Sequence, residues 1–347
     1  MKIVKRRETI KLDRGVFTVS LDFELIWGTL DLFGPERFRA ACEIERAVII
    51  DRLLSLFVEY DVPATWCILG HLFLGHCTAG RGIKHPEIVR PSHAWCKNDW
   101  FEHDVGGQED GSSVFLGRSL VEKIQSCPVP QEIGCHSFSH VIFGDAGCSV
   151  ETAETELAAC VEAAASLGIQ MRSFAFPRNE VGHLALLRKY DFTCYRGPEP
   201  HWYERAGLPV LFKRLAALAA VLVSAEPPVM LPEKTAEGLW NIPGSMIYFP
   251  AHGLRRHIPS SLRVRRAIKG LDAAARRRRV FHLWFHPTNM ADSTDAMFDG
   301  LRRILDRAGS LRARGELTVS PMGAIASMGA IKQRAAVGIA LSDRSVN

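Results

Sequence analysis

Along Val16–Asp22 (VFTVSLD) apolar and polar positions alternate and β-branched residues are frequent, which predicts a strand. Apolar residues then recur at helical spacing from Pro35 to Tyr60. Ala64–Leu69 (ATWCIL) is a short apolar run without polar alternation, as in a strand covered on both faces. The alternation of elements continues with a helix over Leu120–Gln125, a strand over Gln131–Cys135 and an alanine-rich helix over Val150–Leu167 that Gly168 ends. Strand Arg172–Phe176, helix Gly182–Tyr190 and strand Phe192–Tyr195 follow. The C-terminal third gives strand Val280–Phe285 (VFHLWF), helix Ser293–Arg314 and strand Glu316–Ser320.

Strands alternating with helices predict βα units around a parallel sheet. No G-x-G-x-x-G follows the first strand, which favours a barrel over an open nucleotide-binding sheet. A single α/β barrel domain is expected over residues 1–334, with a tail over 335–347. Two insertions interrupt the pattern. Leu74–Gly117 holds His93, Trp95, Asp99, Trp100, His103 and Asp104, and long connections of this kind are usually lids or binding loops. Pro198–Pro259 is proline-rich and carries Trp202 and Trp240. Within it, Leu215–Ala225 is an uncharged, mostly apolar run, too short for a membrane span of about 20 residues. A buried helix is expected there, with an interfacial helix as the alternative.

At 47% hydrophobic and 23% charged residues, the 347-residue chain can bury a large core and is not disordered. A net charge of +5 is too weak to imply nucleic acid. The nine cysteines lie between Cys42 and Cys194, and none forms a C-x-x-C pair. Reduced thiols packed as small apolar side chains are expected. The N-terminus is basic with no apolar run behind it, so no signal peptide is expected and a cytoplasmic location fits. Arg255–Arg279 contains ten Lys/Arg and one acid, Asp272. It reads as a solvated helix face, or as a contact for anionic headgroups or glycans at a membrane surface.

Chemistry-bearing residues fall where predicted strands end. Asp22-Phe23-Glu24 follows the first, His136 and His140 follow Gln131–Cys135, Phe176-Pro177-Arg178-Asn179 follows Arg172, and His286 follows VFHLWF. In a barrel those ends form the active site. Spacing by four predicts both imidazoles on one face of a helical turn, able to reach one ion. Two histidines and a carboxylate leave an open coordination position, as a catalytic metal needs. Asp22 and Glu24 are embedded among apolar residues, where a carboxylate needs a partner or a metal. His282, inside its strand, reads as structural.

With these motifs the chain resembles the polysaccharide deacetylases, over about Val16–Ala324. HSFSH matches the family's H-[ST]-x-x-H, SLDFE stands at its first acidic motif, SFAFPRN at its third and LWFHP at its last. The resemblance implies a distorted (β/α) barrel and a divalent metal, zinc with cobalt or nickel as alternatives. The family's first motif has adjacent aspartates, the base and then the ligand, whereas Phe23 occupies the ligand position here. The resemblance then implies Glu24, His136 and His140 as ligands and Asp22 as base, with exchange of the two acids as the alternative. His286 would be the acid. The family's arginine two residues before the proline is replaced by Ala175, so Arg178 would orient Asp22. Asn179, Trp95 and Trp100 would contact sugar, since flat rings stack on sugar faces.

The implied activity is metal-dependent removal of N-acetyl groups from an amino-sugar glycan, or from a lipid-linked glycan precursor. The alternatives are a hydrolase of the same fold acting on a small cyclic amide or imide, and a non-catalytic glycan-binding protein.

Overall fold

The computed structural model describes residues 8–78, 83–201, 203, 208–249 and 258–329. The expected tail, Trp202 and Arg255–His257 lie outside the described residues. In chain order the strands are β1 (Gly15–Phe23), β2 (Thr65–Ile68), β3 (His76–Cys77), β4 (Gly107–Gln108), β5 (Glu132–Cys135), β6 (Ser173–Ala175), β7 (Cys194–Arg196), β8 (Glu233–Lys234), β9 (Trp240–Asn241), β10 (Met246–Ile247), β11 (Val280–Phe285) and β12 (Leu317–Val319). The helices are α1 (Trp27–Phe33), α2 (Arg39–Ile44), α3 (Ile50–Glu59), α4 (Arg118–Gln125), α5 (Val150–Ala165), α6 (Leu184–Lys189), α7 (Val210–Leu222), α8 (Ser260–Arg277) and α9 (Thr294–Ala313).

Strands β11, β1, β2, β5, β6, β7 and β9 run side by side, each parallel to the next. The expected distorted (β/α) barrel is the observed architecture. β1 is its centre: all nine residues are buried, because β2 and β11 flank it and helices and barrel interior cover its faces. Phe17 stacks on Phe281, and Phe23 and Phe57 meet Trp66 edge-on. Outside the sheet, α8 and α9 bury Val264, Ala267 and Leu271 against Leu301, Ile304 and Leu305.

The ring is completed from within the second apparent insertion. Ile242 N donates to Tyr195 O and Gly244 N to Gly197 O on the β7 side, while Ser245 N donates to His282 O and Tyr248 N to Trp284 O on the β11 side. Trp240–Ile247 thus bridges β7 and β11. Pro243 and Gly244 interrupt the alternation that would mark a strand, since neither sustains a regular ladder. Trp240 is therefore buried barrel wall and not an exposed stacking platform.

Two further expectations change. Pro35–Tyr60 is α2 and α3 joined by a π-helical turn, Glu45–Ile49, which turns Glu45 inward to accept from Thr288 Oγ1 at 2.6 Å. The uncharged run at Leu215 lies on α7, which is not a buried helix: Leu211, Phe212, Leu215, Leu218 and Leu222 are all exposed. Among the described residues no helix is long and apolar enough to cross a membrane. All nine cysteines are free thiols; Cys67, Cys135 and Cys194 lie in strands of the barrel wall and Cys160 in α5.

Candidate active site

Because the strands are parallel and in register, the residues leaving β1, β5, β6, β7 and β11 converge at one end of the barrel. Asp22 and Glu24 come from β1, and both are buried. Asp22 accepts two hydrogen bonds from one guanidinium: Arg196 Nη1 to Oδ1 at 2.7 Å and Nη2 to Oδ2 at 2.6 Å. Arg196, the last residue of β7, is fully buried and lies over the Trp284 ring at 4.2 Å. Its Nη1 also donates to Ser20 Oγ, whose hydroxyl in turn reaches His282 Nε2 at 2.8 Å. His282 Nδ1 bonds the Ile242 carbonyl, and burial pushes its pKa down to about 3, so the ring is neutral. It supports the Arg196 network from below. Burial alone would raise the Asp22 pKa, but Arg196 outweighs burial and holds it below the usual value.

Glu24 Oε2 lies 3.1 Å from His136 Nε2 and 3.2 Å from His140 Nε2. His136 Nδ1 is 2.8 Å from the Ala175 carbonyl, so Nδ1 carries the hydrogen and Nε2 the lone pair. In the neutral ring that lone pair faces a carboxylate oxygen, acceptor against acceptor, and a cation between them resolves the clash. Two imidazoles and a carboxylate suit zinc, cobalt or nickel. Burial alone would raise the Glu24 pKa; His286, His140 and His136 outweigh it and hold it well below the usual range. His286 Nε2 stands 3.4 Å from Glu24 Oε1 and 3.8 Å from Asp22 Oδ2, with about a quarter of its side chain exposed.

The two histidines are not on a helical turn. His136–His140 is a loop in which Ser137 and His140 both have left-handed φ, 61° and 69°. Glu156 of α5, fully buried, holds it by accepting from the backbone N–H groups of Phe138 and Ser139, each at 2.9 Å, and from Ser139 Oγ. Ser137 Oγ accepts from His140 N at 3.0 Å. Backbone strain of this kind persists where surrounding contacts over-determine it.

No family model matches the sequence, and a search of curated proteins finds no match. Solved structures do match. A protein from Mycobacterium smegmatis assigned to the polysaccharide deacetylases is 14% identical, with 94% of this chain and 96% of that one covered and a TM-score of 0.62. A second, from Pseudomonas aeruginosa and assigned likewise, is 11% identical with 90% of each chain covered and a TM-score of 0.56. The allantoinase PuuE is 10% identical, covering 90% of this chain and 89% of that one, with a TM-score of 0.54. The fold is that of the polysaccharide deacetylases.

On this deacetylase fold the residue that reaches Asp22 is Arg196, not Arg178. Arg178 follows Pro177 with φ 54° and turns outward, where its guanidinium pairs with Asp31 and lies 4.7 Å from the Trp95 ring centroid. Asn179, also left-handed, faces inward: its Oδ1 accepts from Arg196 Nη2 at 3.1 Å and Nε at 3.3 Å. Arg196 was legible in one respect. It is a charge directly after an apolar strand, the same signal as Asp22 and His286. Trp100 Nε1 donates to the Ser139 carbonyl at 3.0 Å, so Trp100 braces the histidine loop, while Trp95, stacked on His93, remains 40% exposed.

Gly28, in the first turn of α1, makes room for Glu24. A Cβ there would lie 1.8 Å from Glu24 Oε1. Its backbone is ordinary helix, and alanine is the better helix former by about 1 kcal/mol. Gly28→Ala is therefore expected to keep the fold and swing Glu24 away from the histidines. Bound metal measured by elemental analysis should drop at unchanged thermal stability. Full metal content in Gly28→Ala would show that Glu24 is not a ligand.

Proposed function

We propose that this protein is a metal-dependent hydrolase that removes N-acetyl groups from an amino-sugar glycan. The observation that carries the reading is the convergence of buried Asp22, Glu24, His136 and His140 with partly exposed His286 in one cluster at the strand ends. Glu24, His136 and His140 would hold the ion. When bound, a divalent cation there would polarise the acetamide carbonyl and make water more acidic. Asp22, kept ionised by Arg196, takes a proton from the attacking water. His286, protonated at Nε2, gives one to the departing amine, so that acetate and a free amino sugar result. The partial exposure of His286 gives it access to solvent for reprotonation. With its Oδ1 taken by Arg196, Asn179 would offer its amide N–H groups to the sugar, and Trp95 with Arg178 forms a rim that a sugar can contact.

The second reading is hydrolysis of a small cyclic amide, and it rests on the likeness to the allantoinase. The partly exposed Trp95 indole at the rim favours the glycan. The reading does not extend to a lipid-linked precursor or a membrane contact: in α8, Arg263 and Arg266 are buried, and Arg276 and Arg277 pair with Glu226. Chelation is expected to abolish acetate release from an N-acetylated chitooligosaccharide, and added zinc, cobalt or nickel to restore it. Full turnover after exhaustive chelation, with metal verified absent, would end the metal-dependent reading.

A further inference from the structure

A second cluster of ligating side chains lies in the first long connection, away from the residues assigned to hydrolysis. His71 follows β2, Cys77 is in β3, and His85 and Asp104 come from the loop between β3 and β4. All four are buried. Their ligating atoms converge. His71 Nε2 is 3.1 Å from His85 Nε2, which is 3.2 Å from both Cys77 Sγ and Asp104 Oδ2. Asp104 Oδ2 is also 3.4 Å from His71 Nε2 and 3.5 Å from Cys77 Sγ. A tetrahedral ion with bonds of about 2.0–2.3 Å needs ligand atoms about 3.3–3.7 Å apart.

Hydrogen bonding alone does not account for the cluster. His71 Nδ1 is 2.9 Å from the Phe115 carbonyl, and His85 Nδ1 is 3.1 Å from Glu87 Oε1. Both Nδ1 atoms face acceptors, so both carry hydrogens, and in neutral rings both Nε2 atoms present lone pairs to each other and to Asp104. Without a cation at least one ring must be imidazolium, and a single Nε2–H on His85 would then have to serve His71, Cys77 and Asp104 together. Carbonyl and carboxylate partners behind metal-binding histidines are the usual way such rings are oriented. Asp104 is fixed in the same manner, its Oδ1 accepting from Gly106 N at 2.9 Å.

We propose that His71, Cys77, His85 and Asp104 form a structural zinc site that fastens the long loop to the barrel. A thiolate, a carboxylate and two neutral imidazoles bring a total charge of −2, so a dication leaves the buried site neutral. The thiolate and imidazoles select zinc over magnesium or calcium. Four protein ligands leave no open position, which separates this site from a catalytic one. The fastening matters because the loop between Cys77 and Gly107 also carries Trp95 and Trp100 to the rim and the histidine loop. On the other side, His71 packs 4.4 Å from the Trp27 ring, and Trp27 Nε1 shares the Phe115 carbonyl at 3.0 Å.

The cysteine ligand distinguishes the two sites. The test is metal content and cobalt spectroscopy on the full chain purified with a reductant, in the wild type and in His136→Ala/His140→Ala. The double variant should retain one zinc per chain. Cobalt in its place should give a thiolate-to-cobalt charge-transfer band, which Cys77→Ser abolishes. The wild-type spectrum carries the same band, so the test stands even if a variant fails to fold. A wild-type chain with one zinc and this band would retire the active-site metal and keep this one. Cobalt-loaded wild type without a thiolate band would overturn the proposal, as would a folded double variant free of metal.

Discussion

Arg196→Ala should lose both stability and turnover, and it is the substitution expected to cost most. Removing one partner of a buried ion pair leaves the other charge uncompensated, typically at about 3–5 kcal/mol. Here Asp22 would lose both of its guanidinium bonds, Ser20 one donor and Asn179 two. Urea unfolding should show the loss, and acetate release should fall by about 10²-fold or more because the base is no longer oriented. Arg196→Lys keeps the charge but not the two-pronged geometry, so it should recover part of the stability and little of the rate. Since Arg196 holds the Asp22 pKa below its ordinary value, the pair's stabilisation is complete above a pH of about 4 and fades as pH falls below that. An Arg196→Ala protein as stable and active as wild type would mean that the pair has no role.

The second large effect separates binding from chemistry. Glu24 Oε2 lies between two imidazoles, whereas Asp22 is occupied by Arg196. Glu24→Ala should therefore lower metal affinity. Asp22→Asn should keep the metal and cut turnover by about 10²-fold or more, since an amide cannot take the proton from water. Metal analysis and acetate release on the same folded preparations decide the matter. The reverse pattern, metal lost in Asp22→Asn and kept in Glu24→Ala, would exchange the two roles.

The parallel sheet was legible because short strand-like runs, alternating in β1 and continuously apolar in β2, are separated by stretches of helical spacing. The site was legible because its acids and histidines stand where those runs stop. What failed follows from geometry that sequence spacing does not encode. Two histidines four apart imply a helical turn only if the backbone is helical, and here Glu156, from the next helix, holds it in a left-handed loop. The partner of Asp22 was sought beside Pro177, yet β7 lies one strand further round and Arg196 reaches across the barrel interior. The barrel-closing stretch hid behind Pro243 and Gly244. The cluster of His71, Cys77, His85 and Asp104 has irregular spacing, and only the folding of the loop onto β2 brings it together. The helix at Leu215 misled because an apolar composition does not say which neighbours cover it.

Acetate release from an N-acetylated chitooligosaccharide, measured against free amine formed, tests the central claim most directly, with allantoin run in parallel as a cyclic amide. Zinc-loaded protein is expected to release acetate and free amine in equal amounts, to leave allantoin intact, and to lose the reaction in His136→Ala. Folded, metal-loaded protein that opens the cyclic amide and releases no acetate from any acetylated glycan would contradict it.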